Sequence, residues 1–297
     1  MYEAHFGLRE LPFGLTPDTS FFFACSTYQE ALNTLLVAAG TGEGFIKITG
    51  EVGTGKTLLA RKFLASLGRQ FVTAYIPNPH LDSQALLQTL AEDFQVQIPG
   101  EGDCTRLIRA LTHALLDYAR AGKRVLVCLD EAQAMPLKTL ETLRLLTNLE
   151  TEKRKLVQVV LFGQPELDEN LQDRSVRQLR QRITFQYRLK GLSPEETRRY
   201  LNHRLQVAGY QGGEVFTAPA VGLLHAFSGG VPRLLNILAH KSMMVAYGKG
   251  RRAVAAGAVV RAALDTPAAA RGFARRAWPV AAGALLSLGG LTWMWLA

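Results

Sequence analysis

The eight residues GEVGTGKT at 50–57 lie between the apolar run FIKIT and the helix-forming stretch LLARKFLASL. They fit the pattern G-x-x-x-x-G-K-[ST] in the setting that pattern requires, a strand before it and a helix after it. Its glycines let backbone N–H groups converge on a phosphate at a helix N-terminus. Lys56 adds a point charge for the β- and γ-phosphates, and the Thr57 hydroxyl is a ligand for Mg2+. Gly50, Glu51, Val52, Gly53, Thr54, Gly55, Lys56, Thr57 and Leu58 are therefore the expected phosphate-binding residues of a nucleoside triphosphate site.

Such a loop sits on a parallel sheet, and the flanking sequence has the matching pattern. Short apolar runs at 45–49, 71–76, 125–129, 156–162 and 183–189 alternate with amphipathic stretches, which predicts five parallel strands covered by helices on both faces. VLVCL and VQVVLF are almost continuously apolar, as strands buried on two sides must be. The fold class is α/β, with a P-loop sheet.

The strand VLVCL ends in Asp130 and Glu131. An acid pair at a strand end is common, but beside a P-loop it faces the metal side of the phosphates. There Asp130 is placed to hold the water shell of Mg2+ and Glu131 to orient an attacking water. The strand VQVVLF leads into Gly163, Gln164 and Pro165. Gln164 is either a polar sensor of the γ-phosphate and its water or a plain turn residue before proline. Before the last strand, Arg177, Arg180 and Arg182 form a basic run. One of them is placed to act as a finger toward a neighbouring subunit's nucleotide, and Arg182, which abuts the strand, is preferred; the alternative is a solvated basic helix face.

From residue 192 the pattern becomes helical. LSPEETRRYLNHRLQVAG carries an N-cap at Ser193, Pro194 in the first turn, a capping-box Glu196 and Gly209 at its end. A helix is expected from about 218 to 227 and another from Pro232 to Gly248. Arg233 falls in the first turn of the latter, where the helix dipole disfavours a cation unless an anion is bound nearby. The expected divisions are 1–42, an N-terminal arm and first helix; 43–191, the nucleotide-binding domain; 192–250, a small helical lid; 251–277, a basic linker; and 278–297, an uncharged tail.

The net charge of +9 would ordinarily suggest nucleic acid, but +5 of it lies after Gly250, in six arginines against Asp265. No direct nucleic-acid partner is expected from the rest. The three cysteines, Cys25, Cys104 and Cys128, have no metal-ligand spacing and read as reduced thiols. The start MYEAHFGLRE lacks the basic and apolar regions of a secretion signal.

GEVGTGKT, LDEAQ, GQPEL, RQRI and GGVPRLLN, preceded by HFGLRELPFGLTPDTSFFF, together resemble the AAA ATPases of the ExeA/GspA type of type II secretion. AYIPNP and LRLLTNLETE resemble the MshM branch, which serves the mannose-sensitive haemagglutinin type IV pilus. The resemblance runs from residue 1 to about 247 and implies an ATP hydrolase using Mg2+ and acting as a homo-oligomer, a ring or a dimer. It implies Lys56 and Thr57 as Walker A, Asp130 and Glu131 as Walker B, Gln164 as sensor 1, Arg182 as the finger and Arg233 as sensor 2. It also implies an adenine pocket near Phe13, Leu15, Thr16 and Pro17; that stretch read alone is an apolar arm that could equally be packing.

The uncharged 20 residues at 278–297 span about 30 Å as a helix, the thickness of a bilayer core. Trp278, Trp293 and Trp295 fit interfacial belts, and Arg271, Arg275 and Arg276 place the body on the cytoplasmic side. A single-pass inner-membrane anchor is expected, against an interfacial or core helix. ExeA-like members carry a periplasmic wall-binding domain that this sequence does not contain. The expected partners are therefore pilus or secretion assembly proteins, including a second membrane protein reaching the periplasm. The alternative is a DNA-associated AAA ATPase of the transposition-helper or loader type.

Overall fold

The computed structural model describes residues 2–42, 44–77, 79–97, 103–151 and 154–270. They fall into two compact units, Ala24–Lys190 and a second unit that joins 2–23 to 191–270. In the first, strands β1 (Phe45–Gly50), β2 (Phe71–Ile76), β3 (Arg124–Leu129), β4 (Val157–Gly163) and β5 (Ile183–Leu189) form one sheet in the order β2-β3-β4-β1-β5. Every pairing is parallel. The expected α/β fold with five parallel strands is present, and β4 is buried along its whole length, as its unbroken apolar run requires.

The longer helices of this unit flank the sheet: α1 (Ser26–Thr41), α2 (Lys56–Ser66), α3 (Ser83–Asp93), α4 (Cys104–Arg120) and α5 (Leu137–Thr147). Their starts are written in the sequence. Asp82 accepts from Ala85 N–H at 2.8 Å and Asp103 from Arg106 N–H at 2.8 Å, each satisfying a donor that the first turn leaves open. Helix α4 then carries Leu107, Leu111 and Leu115 at four-residue spacing, so one stripe meets Leu86, Leu87 and Leu90 of α3 and the apolar strand residues Val125, Val127 and Leu161 in a single core. A two-residue antiparallel pair, Glu150–Thr151 with Arg154–Lys155, lies outside this sheet.

Because all five strands run the same way, their carboxyl ends share one edge of the sheet. In open α/β sheets that edge is where ligands bind. The register fixes the heights: Thr49 of β1 is level with Gly163 of β4, and Leu129 of β3 with Leu161 of β4. The segments after β1, β3 and β4 are therefore neighbours.

The second unit contains α6 (Pro194–Val207), α7 (Ala218–Ser228), α8 (Pro232–Gly248) and α9 (Ala256–Leu264). The capping box is formed: Glu196 N–H donates to Ser193 Oγ at 3.1 Å, and Ser193 N–H donates to the Glu196 carboxylate at 2.9 Å. Gly230, at φ +73°, turns the chain into α8, and its N-terminal neighbour Gly229 lies so close to Gly191 that a side chain at 191 would meet Gly229 O at 2.5 Å. Helix α9 corrects the expected division, in which 251–277 was linker. Val259, Ala262 and Ala263 are buried at helical spacing. Alanine supplies little hydropathic contrast, so the stripe did not register as an apolar face, yet small side chains let a helix pack closely. The remainder of the expected linker, 271–277, and the hydrophobic helix expected at 278–297 lie outside the described residues. Among the described residues, no helix is long and apolar enough to cross a membrane.

Arg204 of α6 holds the N-terminal segment to this unit. Its Nε donates to Pro12 O, its Nη1 to the Tyr200 hydroxyl at 3.2 Å and its Nη2 to Gly14 O at 3.5 Å, while the guanidinium carbon lies 4.5 Å from the centre of the Phe21 ring. Asn236 of α8 also donates to Gly14 O, at 3.3 Å. Arg204→Ala removes a buried multidentate donor, takes the donor from Pro12 O and leaves Gly14 O with Asn236 alone, so this unit is expected to lose about 2–4 kcal/mol. Denaturant unfolding measures this; a loss below about 0.5 kcal/mol would mean the segment is held by its apolar contacts alone.

Candidate nucleotide-binding site

The loop after β1 has the shape its sequence demands. Gly53 and Gly55 take left-handed backbone conformations at φ +81° and +91°. At Gly55 a Cβ would come within 1.8 Å of the Tyr28 hydroxyl oxygen, so the position excludes any side chain. Tyr28 of α1 donates its hydroxyl hydrogen to Thr54 O, and Thr54 Oγ1 donates to Glu51 O at 2.8 Å. These bonds hold the loop from outside and inside. Gly55→Ala should therefore lower nucleotide affinity at least about tenfold through backbone strain; unchanged affinity in a titration would show that the loop tolerates the side chain.

Lys56 opens α2 and is 4% exposed. Its Nζ donates to Gly50 O at 2.8 Å and to Glu51 O at 3.2 Å, two neutral carbonyls of the loop itself. Burial pulls the ammonium below its ordinary pKa, and the charges of Glu131, Asp130, Glu51 and Glu166 oppose that shift. A buried cation bonded to carbonyls, at the N-terminus of a helix and beside left-handed glycines, is suited to a phosphate, which would bring the countercharge.

Thr57 and Asp130 meet as the motif spacing implies. Thr57 Oγ1 donates to Asp130 Oδ2 at 2.6 Å, and Asp130 is 2% exposed. The same carboxylate oxygen receives the Tyr75 hydroxyl at 3.2 Å, from the end of β2. Burial first, and the Asp130 charge next, push that phenol well above its usual range, so it stays a donor. Among the described residues there is no cluster of three or more His, Cys, Asp or Glu side chains. The donor set of Thr57 and Asp130 instead fits Mg2+ carried in with a nucleotide's phosphates.

Glu131 takes φ +51°, a left-handed conformation unusual for a residue with a side chain. Its Oε2 accepts from Gln133 Nε2 at 2.6 Å and from Gln164 Nε2 at 2.8 Å. Burial pushes the carboxyl up, but these two amide donors and the Lys56 charge outweigh it and hold the group below its ordinary value. Glu131 is thus a carboxylate at neutral pH. Gln164, at the tip of β4, faces the acid that a sensor of the attacking water would have to face.

The remaining expected residues are elsewhere. Arg182 precedes β5, whose first residue, Ile183, is level with Phe45, whereas Leu189 is level with Gly50. At about 3.3 Å per residue, Arg182 is about 20 Å along the sheet from the loop of its own chain. Its Nη1 donates to Thr147 Oγ1 at 3.4 Å, while Arg177 and Arg180 are exposed. Arg233 is exposed in the first turn of α8, in the second unit. Of the arm residues, Phe13 is 3% exposed and packs edge-on against Phe216 at 5.9 Å between ring centres, while Leu15 is 54% exposed. Sequence reasoning passed over Tyr28, Tyr75 and Gln133. Only Gln133 left a signal, as the last residue of LDEAQ.

The loop, the buried acid and the parallel sheet define the class, a P-loop α/β protein, and residues 39–171 match the AAA domain family. The chain is 41% identical over 265 residues to the General secretion pathway protein A of Aeromonas hydrophila, an alignment covering 89% of this chain and 48% of that protein. It therefore spans about half the length of that curated relative. Among solved structures, Cdc6p from Pyrobaculum aerophilum superposes with a TM-score of 0.61 at 19% identity, covering 89% of this chain and 70% of that one. The Aeropyrum pernix ORC1 protein, solved in complex with DNA, gives 0.58 at 21% identity, covering 86% and 69%. At such identities these two likenesses concern the fold alone.

Proposed function

We propose that this chain is an AAA ATPase that hydrolyses ATP as a homo-oligomer at the inner membrane, in biogenesis of a type II secretion apparatus or an MSHA-like type IV pilus. The observation that carries the hydrolytic reading is the convergence of Lys56, Thr57, Asp130 and Glu131 at one sheet edge, with an ionised Glu131 held by Gln164. Bound ATP with Mg2+ supplies the electrophilic phosphorus. Lys56 and the loop amides neutralise phosphate charge, Thr57 and Asp130 hold the metal, and Glu131 orients the water and takes up its proton. The secretion context is supported by the identity to General secretion pathway protein A, and the pilus branch by the sequence resemblance alone.

Oligomerisation is supported by the place of Arg182. An arginine about 20 Å from its own loop serves catalysis only by reaching a neighbour's site. Turnover per subunit should therefore fall on dilution. Mixing inactive Arg182→Ala chains with inactive Lys56→Ala chains should restore part of it, because each supplies what the other lacks; no recovery, with turnover per subunit constant on dilution, would remove Arg182 from the mechanism. Arg233 as sensor 2, the arm as adenine pocket and 278–297 as membrane anchor belong to the same proposal. Carbonate extraction of membranes tests the anchor. DNA retention at moderate salt with DNA-stimulated turnover would replace the secretion reading with the loader type.

A further inference from the structure

Gln133 belongs to none of the roles above, yet its side chain is bonded to both Glu131 and Gln164. It lies in the 3-10 turn Ala132–Ala134, which folds back because Ala134 N–H donates to Glu131 O at 2.9 Å. Its amide has one possible orientation. The backbone N–H of Gln164 can only donate, and it donates to Gln133 Oε1 at 2.9 Å; the Glu131 carboxylate can only accept, and it accepts from Gln133 Nε2 at 2.6 Å. Gln164 closes the circuit through its own Nε2, which donates to the same Glu131 Oε2 at 2.8 Å. Asn170 Nδ2 anchors the turn by donating to Gln133 O at 2.9 Å.

The result is a ring of three hydrogen bonds, from Gln133 to Glu131, from Gln164 to Gln133 and from Gln164 to Glu131. It joins the tips of β3 and β4, which are neighbours in the sheet. Both side-chain donors converge on Oε2. Among the described residues, no hydrogen bond is donated to Oε1. A glutamate at a left-handed backbone position has several rotamers open to it, and two bonds to one oxygen select one of them.

We propose that Gln133 is a positioning residue for ATP hydrolysis, fixing the rotamer of Glu131 and linking it to Gln164 so that one carboxylate oxygen is held and the other is presented to the attacking water. The inference rests on the hydrolytic reading. Gln133 touches neither nucleotide nor metal in this account and acts through Glu131.

The test uses the full chain with Gln133→Ala and Gln133→Glu, the latter nearly the same shape but with an oxygen where the donor stood. The readouts are kcat, affinity for Mg·ATP by displacement of a fluorescent analogue, and the thermal midpoint. Gln133→Ala should lower kcat about 10- to 30-fold with affinity within about twofold, the pattern of a group that acts on the chemical step. Gln133→Glu should lose at least as much, because a like charge then faces Glu131. Placed on a Glu131→Gln background, Gln133→Ala should cost nothing further, since its effect passes through the missing carboxylate. Equal kcat in wild type and Gln133→Ala would overturn the proposal, as would a loss of affinity that matches the loss of kcat or a full additional loss on the Glu131→Gln background. A wild type that binds ATP without turning it over refutes the hydrolytic reading and this inference with it; an active wild type with Gln133→Ala at parity refutes the inference alone.

Discussion

Lys56→Ala is expected to weaken Mg·ATP binding about 100-fold or more. The side chain is a buried cation at the loop, and its Nζ already sits against Gly50 O and Glu51 O. Removing it takes away a charge-assisted bond to phosphate and leaves those two carbonyls without their donor. A factor of 100 corresponds to about 2.7 kcal/mol. The loop itself should survive, because the Tyr28 and Thr54 bonds that shape it do not involve Lys56. Affinity should thus fall without a matching fall in thermal midpoint. Binding within a factor of three of wild type would mean that the amide groups of the loop suffice.

Glu131→Gln has the opposite signature. The amide keeps the size of the side chain and its oxygen can still accept from Gln133 and Gln164, but it cannot take a proton from water. Turnover should fall about 1,000-fold with ATP affinity retained, and chains recovered after incubation with Mg·ATP should hold intact ATP and remain oligomeric. Recovery of ADP instead would transfer the role of base to another group.

The features legible in the sequence were those written contiguously. GEVGTGKT carries its own geometry, since the spacing from Gly50 to Thr57 prescribes a loop followed by a helix, and Asp130 was found because an acid pair ends a buried strand in a chain that also carries this loop. Tyr75 and Tyr28 had no such mark. Their hydroxyls reach Asp130 and Thr54 only because the parallel sheet aligns β2 with β3 and α1 passes the loop. Gln133 stood inside a quoted motif, but the bond to Gln164 N–H depends on β4 lying next to β3. The helix Ala256–Leu264 was missed because alanine and valine at helical spacing read like a featureless linker. The arm at 2–23 joined the helical unit through Arg204, a buried partner that no local pattern announces.

The central claim is that this site performs Mg2+-dependent ATP hydrolysis, and phosphate release by the purified full chain tests it most directly. Steady-state release should appear with Mg·ATP, vanish when EDTA removes the metal, fall per subunit on dilution, and be absent from both Lys56→Ala and Glu131→Gln. Tight ATP binding with no phosphate released at any protein concentration, or release that persists in Lys56→Ala or without the metal, would contradict it.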